Sequence, residues 1–168
     1  MQNIRATIEI SALSKYPIKY ELDKNSNALI VDRFIKTNMQ YPCNYGFIPE
    51  TLGLDDDPLD ILVISPYPLL PSCSISCRAI GILKMIDDGG IDDKIISVPD
   101  KKITDEYNDI RNIKDLPLSL LNQIKYFFNH YKDSEENKWT KVEDFGSQEE
   151  TLNTILSATE RFKKNCER

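Results

Sequence analysis

Asp55, Asp57 and Asp60 fall within six residues, in the run Asp55-Asp56-Asp57-Pro58-Leu59-Asp60, just before the apolar stretch Ile61-Leu62-Val63-Ile64. Carboxylates held this close repel one another when ionised, and a divalent cation relieves the repulsion. A solvated acidic loop tolerates the same run, so this hexamer alone leaves both readings open. It is not a calcium-binding EF-hand loop, because its sixth position is Asp60 instead of Gly and its twelfth is Pro66 instead of Glu. It also fits an aspartyl-phosphate loop poorly, since there the strand precedes the nucleophilic Asp. A second acidic cluster, Asp87-Asp88-Gly89-Gly90-Ile91-Asp92-Asp93, carries two glycines that let the chain fold back tightly. Together the two clusters could hold several metals a few ångströms apart, the spacing that phosphoryl transfer uses.

A set of cations and phenols complements them: Lys19, Arg33, Lys94 and Lys132, with Tyr41, Tyr45 and Tyr131. Each alone reads equally as a surface cation or a packed tyrosine. Beside metals, Lys and Arg are what an anionic phosphate ligand needs. No Ser, Cys or His stands out as a nucleophile, and the single histidine, His130, reads as structural. The cysteines (Cys43, Cys73, Cys77, Cys166) contain no Cys-x-x-Cys pair, which argues against structural zinc and for reduced thiols.

These groups need a scaffold, and the hydrophobic pattern supplies one. Asn3 to Ile10 and Pro17 to Leu22 alternate apolar with polar, as half-buried strands do. Asp23-Lys24-Asn25-Ser26-Asn27 is turn chemistry, with Ala28 to Phe34 as the returning strand. Ile61 to Ser65, Ile75 to Leu83 and Lys94 to Val98 are further strands. The period then changes. Leu120, Leu121, Ile124, Phe127, Phe128 and Tyr131 fall at helical spacing after Asp115 as the expected cap. Ser147-Gln148-Glu149-Glu150 is a capping box that opens a second helix, with Leu152, Ile155, Leu156 and Phe162 on its expected apolar stripe. Strands first and helices afterwards favour an α+β fold with a mainly β core, and short strands in this number suggest a small barrel.

The chain has 168 residues, the size of one domain spanning 1–168. Its 27 acids outnumber its 21 bases. Eight of those acids lie in the two aspartate clusters, and without them the excess disappears. The charge is therefore concentrated in two loops that repel nucleic acid and suit hard cations. The longest apolar runs fall far short of a membrane span, and Met1 to Ile10 lacks the pattern of a secretion signal. A cytoplasmic location without membrane or nucleic-acid partners is expected.

Taken together, these blocks resemble the soluble family I inorganic pyrophosphatases, prokaryotic branch. The likeness centres on the signature Asp, any, Asp, Pro, aliphatic, Asp, aliphatic, matched by Asp55 to Ile61. Around it stand Ile18-Lys19-Tyr20-Glu21, Val31-Asp32-Arg33-Phe34, Tyr41-Pro42-Cys43-Asn44-Tyr45-Gly46, Gly81-Ile82-Leu83-Lys84-Met85 and His130-Tyr131-Lys132-Asp133. The resemblance implies a distorted five-stranded, OB-like β-barrel with flanking C-terminal helices. It implies Mg²⁺-dependent hydrolysis of pyrophosphate by direct in-line attack of a metal-activated water, with Mn²⁺ as a possible substitute. It also implies residue roles. Asp55, Asp60 and Asp92 hold the tightest metal, Asp60 bridges to a second, and Asp87 with Asp92 takes metals arriving with substrate. Glu9 and Glu21 hold water or site geometry, Asp57 is the general base, and Tyr41 supports the site from behind. Lys19, Arg33, Tyr45, Lys94, Tyr131 and Lys132 hold the two phosphates. A homohexamer follows from the same likeness. Three positions depart from the family pattern: Ser11 stands where many relatives have proline, Asp56 where glycine or serine is frequent, and Tyr126 where some bacterial relatives have an interface histidine.

Overall fold

A computed structural model of the chain describes residues 3–23 and 25–167; Met1, Gln2 and Lys24 of the expected turn lie outside this description. Among the described residues, nine strands and two α-helices follow in order. They are β1 (Asn3–Ile10), β2 (Ile18–Leu22), β3 (Leu29–Phe34), β4 (Asn44–Phe47), β5 (Asp60–Val63), β6 (Ser74–Asp87), β7 (Gly90–Ile91), β8 (Lys94–Pro99), α1 (Leu118–His130), β9 (Thr140–Gly146) and α2 (Gln148–Cys166).

Five strands close a ring, β1-β4-β5-β8-β6, because β6 pairs with both β8 and β1. The ring is uneven about its axis, so it is barrel-like, and closure removes the open edges that a flat sheet would expose. The expected distorted five-stranded barrel is therefore present. β7 and β9 extend the sheet along β6, and β2 with β3 forms a separate hairpin.

Side-chain alternation divides the core in two. Ile61 and Val63 of β5 pack with Ile8, Ile82 and Ile95, and helix α2 adds Ile155 and Ala158 there. Leu62 points to the opposite face, with Ile10, Leu83 and Ile96, against Phe127 and Phe128 of α1. Among the described residues, no helix is long and apolar enough to cross a membrane.

Several local expectations need correction. Asp115 does not cap α1. Its carboxylate accepts from the N–H groups of Arg111 and Asn112, closing a short 3₁₀ turn capped by Asn112, and Pro117 takes the position before α1. Proline fixes its own φ near the helical value but lacks an N–H, so it suits the entry to the helix. The capping box at Ser147 forms as expected, with Glu150 returning a bond to the Ser147 N–H. The α2 stripe, however, buries Thr151, Ile155 and Ala158, and Leu156 is half exposed. The thiols are all free, with Cys43 and Cys77 buried.

Candidate active site

Two β-bulges aim the first site residues. On β1, Ile8 faces Gly46 and Ile10 faces Tyr45, so Glu9 is an extra residue with no partner opposite. A bulge of this kind redirects a side chain out of the pleat. The Glu9 carboxylate turns inward, is 8% exposed, and accepts from the Leu22 N–H at 2.8 Å, tying β1 to the β2–β3 hairpin. Gly46 makes the close approach possible, since a Cβ there would collide with the Thr7 carbonyl. On β3 the extra residue is Asp32. Lys19 faces Arg33 directly across the hairpin, and the Asp32 carboxylate lies 3.6 Å from Lys19 Nζ and 3.0 Å from Arg33 Nη1. Lys19 also pairs with Glu21.

The acidic loop is built by its own hydrogen bonds. Asp55 Oδ1 accepts from the Asp57 N–H at 3.1 Å, and the Asp57 carbonyl accepts from the Gly53 N–H at 2.6 Å. Asp56 occupies the left-handed region, φ 65°, a conformation that glycine adopts without strain. Asp55 and Asp57 are exposed at the mouth.

Deeper in, β5 and β8 run parallel with Asp60 opposite Lys94. The Lys94 ammonium is 2% exposed and pairs with both Asp60 and Asp92. It also stands 5.9 Å from the centre of the Tyr45 ring. Burial opposes the charge on Lys94, but the fields of Asp60 and Asp92 outweigh it and hold the ammonium above its ordinary pKa. Burial likewise pushes Asp92 up to about 6, with Asp60 adding to the rise and Lys94 opposing it. Burial raises Glu9 to about 7, against the Leu22 hydrogen bond, with Asp60 and Glu21 adding to the rise. Asp87 is held below the usual carboxylate range. Partial burial works against this, and the salt bridge from Lys132, 2.8 Å away, overcomes it. Tyr41, Tyr45 and Tyr131 form an aromatic wall with Phe127, the Tyr41 ring lying 4.5 Å from Phe127 and 5.2 Å from Tyr45. Burial pushes all three phenols well above their ordinary values, so they stay neutral donors.

Most of these groups, though not Asp32, Asp56 or Phe127, line one cavity of about 520 Å³. It takes in the carboxylates Glu9, Glu21, Asp55, Asp57, Asp60, Asp87 and Asp92, together with Glu50, which the sequence reading did not put forward. Facing them are Lys19, Arg33, Lys94 and Lys132, with the phenols Tyr41, Tyr45 and Tyr131. Every residue that the sequence put forward for chemistry is thus brought to one place. His130 is not part of that lining and stands 2.8 Å from Asp133.

Comparison with known proteins gives the family. The sequence profile of the family described as "Inorganic pyrophosphatase" matches residues 6–163. The chain belongs to that family. The inorganic pyrophosphatase of Yersinia pestis is 50% identical over 163 residues, covering 97% of this chain and 93% of the relative. That of Escherichia coli K12 is 51% identical over 162 residues, covering 96% and 92%. Among solved structures, an inorganic pyrophosphatase from Coxiella burnetii superposes with a TM-score of 0.93 at 43% identity, covering 96% of this chain and 95% of that one. The Helicobacter pylori inorganic pyrophosphatase gives 0.93 at 41% identity, covering 96% and 94%. The chain is accordingly a bacterial-type family I pyrophosphatase, a hydrolase of the diphosphate bond.

Within this pyrophosphatase site the donor set fits hard divalent cations, because it consists of carboxylate oxygens. Among the described residues, no three carboxylates already converge as a finished metal cage. The Lys94 ammonium sits between Asp60 and Asp92 and shares them. The Ser11 hydroxyl donates to the Leu69 carbonyl at 2.6 Å, and Glu9 and Lys19 reach the same cavity. Tyr126 is exposed and its ring lies 4.6 Å from that of His130.

Sequence reasoning missed Asp32, Glu135 and the ion pair Asp88–Lys138, 2.8 Å long. The block around Asp32 and Arg33 was visible, but a bulge that places Asp32 between two cations has no signature of its own. Glu135 lies in the turn after α1, two residues beyond the block His130 to Asp133, and nothing in the local pattern aims it at Arg33.

Proposed function

We propose that this chain, as a single domain over 1–168, hydrolyses inorganic pyrophosphate to two orthophosphates with Mg²⁺, Mn²⁺ being an alternative ion. The observation that carries the proposal is the single cavity in which eight carboxylates face four cations and three neutral phenols. Carboxylates alone would repel pyrophosphate, and cations alone would hold it without a means of activating water. Asp55, Asp60, Asp87 and Asp92 would hold the metals, with Glu9 and Glu21 fixing the geometry around them. When bound, Mg²⁺ neutralises charge on the phosphates and acidifies the attacking water.

The remaining work falls to the protein. Lys19, Arg33, Lys94 and Lys132 bind phosphate oxygens, and the Tyr45 and Tyr131 hydroxyls donate to them. Tyr41 holds those rings in place from behind. Asp57, at the mouth of the acidic loop, takes a proton from the attacking water. The water oxygen bonds to one phosphorus, the bridging P–O bond breaks, and the leaving phosphate carries away the bond's electron pair. The cations stabilise the charge that gathers there. The same reading places the enzyme in the cytoplasm as a homohexamer, free of membrane and nucleic acid.

The test is phosphate release from pyrophosphate and from ATP, each with and without Mg²⁺. Release from pyrophosphate in Mg²⁺, with ATP turned over far more slowly, is expected. Equal turnover of the two substrates would show that the cavity selects any phosphoanhydride and would overturn the assignment.

A further inference from the structure

Arg33 reaches the site from β3, and a carboxylate from a distant turn lies against its far side. Glu135 Oε2 stands 3.4 Å from Arg33 Nε. The Glu135 side chain is only 13% exposed, so this is not a loose surface pair. Both partners are incompletely satisfied: Arg33 Nε and Glu135 Oε1 are buried with no hydrogen-bond partner among the described residues. Buried polar atoms of this kind are costly and rarely persist without a purpose. A shift of about half an ångström would turn the Nε contact into a charge-assisted hydrogen bond.

The position of Glu135 is itself fixed. Its N–H donates to the Lys132 carbonyl at 2.9 Å, so one turn carries both Glu135 and Lys132. Lys132 in turn bonds Asp87. On the other side of Arg33, Nη1 donates to Asp32, whose side chain is 29% exposed. The guanidinium therefore has a buried carboxylate at Nε and a wetter one at Nη1.

We propose that Glu135 is the positioning residue for Arg33. It grips Nε from within the fold and leaves the Nη atoms to exchange Asp32 for a phosphate oxygen when pyrophosphate enters. Because Glu135 and Lys132 share a turn, the same contact sets the spacing between two of the phosphate-binding cations. This inference rests on the reading of Arg33 as a phosphate ligand.

The experiment is a double-mutant cycle with Glu135→Gln and Arg33→Ala, measuring kcat and KM for pyrophosphate in saturating Mg²⁺, with thermal unfolding of each variant. Glutamine keeps the shape of the side chain and removes its charge. Glu135→Gln is expected to raise KM by about 3- to 10-fold with kcat little changed and the unfolding transition intact. In the Arg33→Ala background the same change is expected to have no further effect, because its only target is gone. An equal rise in KM in both backgrounds would overturn the proposal, as would an unchanged KM in Glu135→Gln. Loss of the cooperative unfolding transition in Glu135→Gln would assign the residue to folding and overturn it as well. If Arg33→Ala alone leaves KM unchanged, it is the reading of Arg33 that fails, and that outcome is distinct from the others.

Discussion

Asp60 and Lys94 stand directly opposite each other across the parallel pairing of β5 and β8, and their side chains form an ion pair whose lysine end is buried. The same ammonium holds Asp92. One buried lysine thus serves two carboxylates and offsets half of their combined charge.

This relationship predicts the outcome of removing the lysine. Lys94→Met leaves Asp60 and Asp92 facing each other without a counter-charge. Truncating one partner of a buried pair typically costs about 3–5 kcal/mol. Urea unfolding in EDTA should show a loss of that size, and added Mg²⁺ should restore part of it. A variant as stable as the parent in EDTA would mean that Lys94 does not carry the charge balance of the site.

The raised carboxylates give a pH dependence. Glu9 moves from 4.5 to about 7 in the folded chain, so between those values the native state binds more protons than the unfolded one. Stability of the metal-free protein should therefore fall as pH rises through this window, by up to about 3 kcal/mol. Glu9→Gln should flatten that slope in thermal melts recorded between pH 4.5 and 8 in EDTA. Metal binding has the opposite dependence, because Asp92 and Glu9 must lose their protons first. Mg²⁺ affinity should rise from pH 5.5 to 8, and calorimetry should show protons released on binding. A pH-independent affinity would contradict the burial of these groups.

Much of this was legible from the residues. The hexamer Asp55–Asp60, the second cluster and the scattered cations could be read as one phosphate-handling site, because each block is short and its spacing is local. The closed ring was less visible. β4 is a four-residue strand, Asn44–Phe47, with little alternation because three of its four residues are buried. β9 is half exposed, with charged residues among its apolar ones. The parallel contact of Asp60 with Lys94 joins residues 34 apart, and no local pattern encodes such a pairing. The same holds for Glu135, whose role depends on which turn happens to meet Arg33.

Asp57 and Asp60 should respond differently to loss of charge. Asp60→Asn should weaken metal binding, and raising Mg²⁺ should recover part of the activity. Asp57→Asn should leave metal binding largely intact and cut turnover by about 10² to 10⁴, the range for a general base, with its pH profile displaced toward alkali. A metal titration and a pH–rate curve on both variants check this. Identical responses to Mg²⁺ would remove the distinction between base and ligand.

The left-handed backbone at Asp56, φ 65°, sets a different kind of constraint. Asp56→Gly should preserve or slightly raise stability and leave turnover within about two-fold, since glycine adopts this conformation freely. Asp56→Val should lower stability by about 1–2 kcal/mol, because a β-branched side chain is strained there. Chemical denaturation of the two variants separates them. Equal stability would show that the loop relaxes to another backbone path.

The central claim is that the carboxylates of this cavity work through divalent metal. Its most direct measurement is phosphate release from pyrophosphate by protein stripped with EDTA, followed by titration with Mg²⁺. Turnover should be abolished by the chelator and return in step with added Mg²⁺. Full turnover in metal-free buffer would contradict the account.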